Sequence, residues 1–255
     1  MIRKVQAKFI RLFESLSYIV TWSTFYITFR LLPFCLYKFH VEGTDNIPRK
    51  GRFILAANHM NFFDGYFVVV PIGPLRRVSF LIAKRALQPE SIRLFWLTLA
   101  RLIGTVVLDD HNQDAYTRAL KKLHRILSHN IPIMIFPEGG VSENKIPRKF
   151  KGGVAKLSID SKTKVIPAYI DGTYGFRKIS YWFKRPVVRI KYGKPIELYR
   201  YAEACGNDLD KMAALLRDKI IELSGVKEHP DSFREEVKEI ENKLSNSPIV
   251  KSTTM

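Results

Sequence analysis

Only two cysteines, Cys35 and Cys205, occur in 255 residues, far apart and without C-x-x-C spacing. That scarcity excludes a disulfide framework and a thiolate-held zinc ion, and it fits a reducing compartment. Acidic residues are also few, 24 against 42 Lys and Arg, which leaves a net charge of +18 and a pI of about 9.9. So little negative charge implies an anionic partner: nucleic acid, anionic lipid, or acidic small molecules and carriers. No nucleic-acid motif occurs, and the positive charge is spread along the chain, heaviest at the N-terminus and around residues 145–156. Internal repeats are absent. What is present is 46% hydrophobic and 12% aromatic residues, too apolar for a disordered chain and enough for one large α/β domain with appendages.

The first 40 residues are the most apolar part of the chain. Arg3, Lys4, Lys8 and Arg11 stand between Ile2, Val5, Phe9, Ile10, Leu12 and Phe13 at close to helical spacing, with one basic and one apolar face. No charge falls between Ser15 and Phe29, but Arg30 ends that run before the roughly 20 apolar residues that a spanning helix requires. A second apolar piece, from Leu31 to Phe39, follows the interruption. The expectation for residues 1–40 is a pair of short membrane-docking helices lying in one leaflet. Core helices of a soluble domain are one alternative, and a single tilted span with Arg30 snorkelling at its end is another. A secretory signal does not fit, because Ser, Thr and Trp break the run and no small-residue cleavage site follows.

After the turn-rich "EGTDNIP" around residues 42–48, short apolar runs alternate with helical segments. "RFILAANH" (52–59), "RVSFLIA" (77–83), "GTVVLD" (104–109), "IPIMIFPE" (131–138), "KVIPAYID" (164–171) and "PVVRIKYG" (186–193) read as strands. In "QDAYTRALKKLHRILSHN", Ala115, Ala119, Leu123 and Ile126 share one face of a helix, with His124 off that face. The fold class is therefore α/β, a mixed, mostly parallel sheet covered by helices, spanning residues 41–225. "LDKMAALLRDKIIEL" is an amphipathic helix that closes this domain, and residues 226–255 hold a more polar helix and a frayed tail. In such sheets reactive groups gather in loops leaving the C-terminal ends of strands, where His59, Asp109 and Glu138 lie.

Two constellations stand out. "NHMNFFDG" sets Asp64 five residues after His59 at a strand end. If the chain turns helical from Asn61 onward, Asp64 can reach back to the His59 ring, hold its tautomer and leave the other nitrogen as a base. The plainer alternative makes Asp64 a helix cap and His59 a satisfied loop residue. No Ser or Cys nucleophile sits beside the pair, so a hydroxyl to be activated has to come from a substrate. No third or fourth ligand occurs at local spacing, so no metal is expected. The second constellation runs from "MIFPEGG" into "IPRKFKGGVAKL", where Arg148, Lys149, Lys151 and Lys156 surround Gly152 and Gly153 at a helix start. Cations with backbone N–H groups there suit an anionic group such as phosphate, the alternative being a glycine turn before a solvated basic helix.

The order "NHMNFFDG", "FPEGG", "KGGVAKL", "VIPAYIDG" resembles the glycerolipid acyltransferase family, whose best-known members are 1-acylglycerol-3-phosphate acyltransferases. The similarity spans about residues 40–200, and three blocks carry it: Asn58, His59 and Asp64; Phe136, Pro137, Glu138 and Gly139; Val165, Ile166 and Pro167. The N-terminal apolar helices are similar to that family's membrane-docking pair. The resemblance implies acyl transfer from acyl-CoA or acyl carrier protein to the free hydroxyl of a lysophospholipid, at the cytoplasmic face of a membrane and without a cofactor. It implies His59 as the base and Asp64 as its orienting group. By the same analogy Glu138 and Gly139 shape the acceptor site, with Ile166 and Pro167 as its wall; Asn58, Phe136, Pro137, Gly140, Lys149 and Lys151 are the further substrate-binding candidates beside them.

Two positions depart from the family pattern. Its second block usually ends in an arginine that grips the acceptor phosphate, and here "GTVVLDD" places Asp109 and Asp110 in that region. After "FPEG" the family commonly has threonine and arginine, whereas this chain has Gly140 and Val141. Either Lys145, Arg148, Lys149 or Lys151 replaces those arginines, or the acceptor is a lysolipid or aminolipid without a terminal phosphate. A lipid binder without catalysis is the third possibility. Lysophosphatidate leads among the acceptors.

Overall fold

A computed structural model describes residues 37–73, 76–87, 104–109, 112–142, 146–174 and 186–225, together with Val20, Ser23, Thr24 and Asn242. The expected docking helices at the N-terminus and the polar helix after residue 225 lie outside the described residues, apart from those isolated positions.

All six expected strands form, each trimmed to its apolar centre: β2 (Ile54–Ala57), β3 (Ser79–Ala83), β4 (Val106–Leu108), β5 (Ile133–Ile135), β6 (Val165–Asp171) and β7 (Val187–Tyr192). A seventh, β1 (Lys38–Glu42), precedes them. The sequence reading carried the apolar helical piece through Phe39, and the structure corrects it: residues 38–40 belong to the sheet. Their alternation supplies the reason, because Phe39 and Val41 are half-buried between exposed Lys38, His40 and Glu42, a period of two.

The strands make one sheet in the order β1-β7-β6-β2-β5-β3-β4. Five strands, β6, β2, β5, β3 and β4, run parallel; β7 is antiparallel to β6, and β1 is parallel to β7. Successive residues of the central strands point to opposite faces, which produces two cores. Ile54, Ala56, Ile133, Ile135 and Val165 face helices α2 (Gln113–Ser128), α3 (Gly153–Ser161) and α4 (Leu209–Ser224). Phe53, Leu55, Ala57, Met134 and Ile166 face the short helix α1 (Asp64–Val69). Continuous burial on both faces is why these strands read as unbroken apolar runs instead of alternating ones.

Candidate active site

Asn58 is the first residue beyond β2, and its side chain extends the sheet after the backbone ladder has ended at Ala57↔Ala168. Its Nδ2 donates to the Ile170 carbonyl at 2.9 Å and its Oδ1 accepts from the Ile170 N–H at 2.8 Å. The side chain thus clamps the end of β2 to β6. His59 emerges from that clamp with three further restraints. Its N–H donates to Glu138 Oε1 at 2.8 Å, its carbonyl accepts from Ser142 N at 2.6 Å, and its ring stacks on Phe136 at 3.8 Å between centroids and 11° between planes.

The chain turns helical at Asp64, three residues after the Asn61 start considered from the sequence, with Asp64 itself in the first turn. Asn61 Oδ1 accepts from the Phe63 N–H at 3.1 Å and tightens the turn, and Asp64 Oδ2 accepts from the N–H groups of Met60 (2.5 Å) and Asn61 (2.6 Å). The same Oδ2 lies 3.2 Å from His59 Nδ1. Asp64 is fully buried and 15% of the His59 side chain stays accessible; Nδ1 faces the carboxylate, and Nε2 is the other ring nitrogen. Gly65 carries no side chain where Phe136 approaches: a Cβ there would sit 3.3 Å from Phe136 Cε2.

Glu138 organises the loop after β5 from inside. Its buried carboxylate accepts from the backbone N–H of His59 and, through Oε2, from that of Arg148 at 2.9 Å. Burial pushes its pKa above the ordinary carboxylate value, and the two N–H bonds and the Arg148 charge pull back against that shift. Arg217 on α4 supports the loop from behind, its Nε donating to the carbonyls of Pro147 (2.8 Å) and Arg148 (3.1 Å).

Gly139 adopts φ +70, and a Cβ there would meet Lys151 Cε at 2.8 Å and Nζ at 3.0 Å. At Gly140 a Cβ would lie 3.3 Å from Arg148 Nη2 and 3.9 Å from Arg85 Nη2. Arg148 Nη2 bonds the carbonyls of Gly140 (2.8 Å) and Val141 (3.0 Å), and Arg85 Nη2 bonds that of Gly139. Three cations from three places in the chain therefore converge on the two glycines. The space that a threonine side chain would take at position 140 is filled by guanidinium.

The expected residues divide accordingly. Asn58, His59, Asp64, Phe136, Pro137, Glu138, Gly139, Gly140 and Lys151 assemble at one end of the sheet. Lys149 does not join them; its Nζ pairs with Asp210 Oδ2 on α4 at 3.1 Å. Ile166 and Pro167 lie low in β6, paired with Leu55 and Ala56, about 10–13 Å along the strand from Ile170. Asp109 sits at the edge of the sheet on Lys84, 2.9 Å away, three strands from β2. Lys145 is outside the described residues. Sequence reasoning missed Arg85, although its position just past the end of β3 is the signal that marked His59 and Glu138. Among the described residues no group of three His, Cys, Asp or Glu gathers closely enough to hold a metal ion.

Residues 38–171, more than half of the chain, match the family model described as Acyltransferase. The chain belongs to the acyltransferase family. A curated 1-acyl-sn-glycerol-3-phosphate acyltransferase of Limnanthes alba is 26% identical over 169 residues, 63% of this chain and 56% of that protein. One of Borreliella burgdorferi is 23% identical over 187 residues, 72% of this chain and 70% of that protein. The chain spans little more than half the length of the Limnanthes relatives, 56% and 53%. The crystal structure of the 1-acyl-sn-glycerophosphate acyltransferase of Thermotoga maritima superposes with a TM-score of 0.55 at 20% identity, covering 83% of this chain and 81% of that one, which supports the family's fold.

Proposed function

We propose that this protein transfers a fatty acyl group from a thioester, on coenzyme A or a carrier protein, to the free hydroxyl of a lysophospholipid, with lysophosphatidate the leading acceptor. The arrangement of His59 between Asp64 and Phe136 carries this reading. Nε2 of His59 takes the hydroxyl proton as that oxygen attacks the thioester carbonyl; the tetrahedral intermediate then expels the thiolate, which receives the proton from the imidazolium. Asp64 holds Nδ1–H and stabilises the ring once it is charged. Stacking on Phe136 and the contact with Asp64 keep the ring from turning.

The arginines favour an acceptor that bears phosphate. Arg148 commits Nη2 to two carbonyls and Nε to Glu138 at 3.7 Å, which leaves Nη1 for a ligand. Together with Arg85 and Lys151 it supplies, from different positions, the charge that the family pattern places after "FPEG".

Exposed apolar surface supports a membrane location at the same end. Among the described residues, apart from Val20, the exposed large hydrophobic residues are Phe62, Phe63, Val141 and Tyr174, all in loops leaving the C-terminal ends of β2, β5 and β6. The chain also enters β1 there, Lys38 pairing with Val187 just beyond Asp171. Residues before β1, read as docking helices, would thus meet the bilayer on the side where His59 opens. Among the described residues no helix is long and apolar enough to cross a membrane.

The test is thiol release by purified protein with acyl-CoA or acyl carrier protein and a panel of lysolipids. Acceptor-dependent release is expected, and His59→Ala should lower it by about 10² to 10⁴. Equal release by wild type and His59→Ala would refute the mechanism.

A further inference from the structure

The three longer helices on the outer layer differ in how their charges are arranged. On α4, Asp210, Asp218 and Glu222 balance Lys211, Arg217 and Lys219; on α3, Lys156 pairs with Asp160 at 3.1 Å. On α2 the only acid is Asp114, against Arg118, Lys121, Lys122 and Arg125. Those four cations fall at i, i+3, i+4 and i+7, so they form one continuous exposed stripe, and no carboxylate among the described residues pairs with any of them. Like charges at i and i+4, as in Arg118 with Lys122 and Lys121 with Arg125, weaken a helix by themselves. An anionic surface laid on the stripe removes that repulsion.

The stripe borders a groove of about 320 Å³ between α2 and the edge strand β4, with Arg118 and Lys122 on one wall and Lys84 and Asp109 on the other. Lys84 is followed directly by Arg85, whose guanidinium reaches Gly139 beside the His59 site. Between β2 and β4 lie β5 and β3, so the groove stands about 14 Å from the strand that carries His59. An extended pantetheine arm covers that distance. Helix α2 starts at the His59 end of the sheet and runs away from it, back to β5. A bilayer lying across the His59 end therefore meets the start of the helix at most, and the stripe faces a partner beside the enzyme.

We infer that the α2 stripe is the docking surface for a small acidic protein that carries the acyl thioester on a pantetheine arm, with the groove at Lys84, Arg118 and Lys122 as the entry for that arm. This rests on the acyltransferase reading above and names the form of the donor. A protein surface accounts for all four cations along two turns of helix, whereas the few phosphates of free coenzyme A need only the groove.

The test compares acyl carrier protein with acyl-CoA as donor for the full chain and for Arg118→Glu/Lys122→Glu and Lys121→Glu/Arg125→Glu, with lysophosphatidate in mixed micelles as acceptor. Lys121→Glu/Arg125→Glu, on the stripe but outside the groove, should raise KM for acyl carrier protein by about 10- to 100-fold while leaving kcat and all acyl-CoA parameters near wild type, whereas Arg118→Glu/Lys122→Glu, which also alters the groove, should raise KM for both donors and more for the carrier protein. Wild-type turnover with the carrier protein should fall steeply with added salt, and that dependence should flatten in the variants. Unchanged KM for the carrier protein in either variant overturns the docking surface. So does a loss with acyl-CoA as large as that with the carrier protein in folded Lys121→Glu/Arg125→Glu, which would assign the stripe to coenzyme A. If neither donor supports acceptor-dependent thiol release by the wild type, the acyltransferase reading itself fails, an outcome distinct from the other two.

Discussion

The chemistry proposed for His59 depends on the residues that hold it in place. Asp64 Oδ2 lies against Nδ1, Phe136 stacks on the ring, and Glu138 holds the backbone from which the ring hangs. Arg148 belongs to the same set through its backbone N–H but adds a charged side chain that faces outward. Replacing it by Ala keeps the N–H bond to Glu138 and removes only the guanidinium. Arg148→Ala should therefore raise KM for lysophosphatidate by about tenfold or more and leave acceptors without a terminal phosphate little changed, measured as acceptor-dependent thiol release. An equal loss on both acceptor types would show that the side chain shapes the loop and does not select phosphate.

Glu138 also gives a pH signature. Its folded pKa is raised above the ordinary 4.5 by burial, so the folded state holds its proton more tightly than the unfolded chain does. The stabilisation linked to that proton is complete below the unfolded value and is lost as pH rises through the folded one. Glu138→Gln has no such proton. Melting temperatures from pH 4 to 8 should show the variant gaining on wild type as pH rises above about 4.5. A constant difference would mean that burial does not govern this carboxyl.

At the scale of elements, the loops after β2 and β5 work as one unit, because each is pinned to something other than itself. Asn58 ties the first to β6, and Arg217 ties the second to α4. Asn58→Ala leaves the Ile170 N–H and C=O buried without those partners, a loss of about 2–4 kcal/mol. For a domain of this size that is a Tm lower by roughly 5–15 °C, readable by calorimetry. A shift under 2 °C would mean that water or a backbone rearrangement replaces the clamp.

Much of this element-scale picture was legible in the sequence. Buried parallel strands announce themselves as apolar runs, and the His59–Asp64 spacing implied a helical turn that could bring the two together. β1 escaped because five residues at a sheet edge, half-buried on one side, look like the tail of the apolar stretch before them. Arg85 escaped because nothing local distinguishes it from any other arginine; only the fold brings it to Gly139, 54 residues away. Lys149 was misplaced for the same reason, since its partner Asp210 lies 61 residues on. Gly140 showed a missing side chain in the sequence, and the guanidinium that fills its place became visible only in three dimensions.

For the whole molecule, one end of the sheet gathers His59, the cations around Gly139 and Gly140, the exposed aromatics and the start of β1. A variant lacking residues 1–36 keeps β1 intact and should retain the melting temperature of the α/β domain while losing most of its flotation with anionic liposomes. Undiminished flotation would transfer membrane binding to Phe62, Phe63 and their neighbours alone. Removing residues 1–40 instead would cut into β1 and confuse a folding defect with a binding defect.

The pairing of β1 with β7 has a consequence in time. Lys38 and Val187 are neighbours in the sheet but about 150 residues apart in the chain. At synthesis rates of about 5–20 residues per second, β1 waits roughly 7–30 s for its partner to leave the ribosome. During that interval any segment ahead of β1 is already free to engage a surface, while the sheet edge it leads into is still unpaired. The pair of β1 with β7 therefore closes only after most of the sheet has been made, with α4 still to follow, so a docking role for the residues ahead of β1 would place anchoring before that closure.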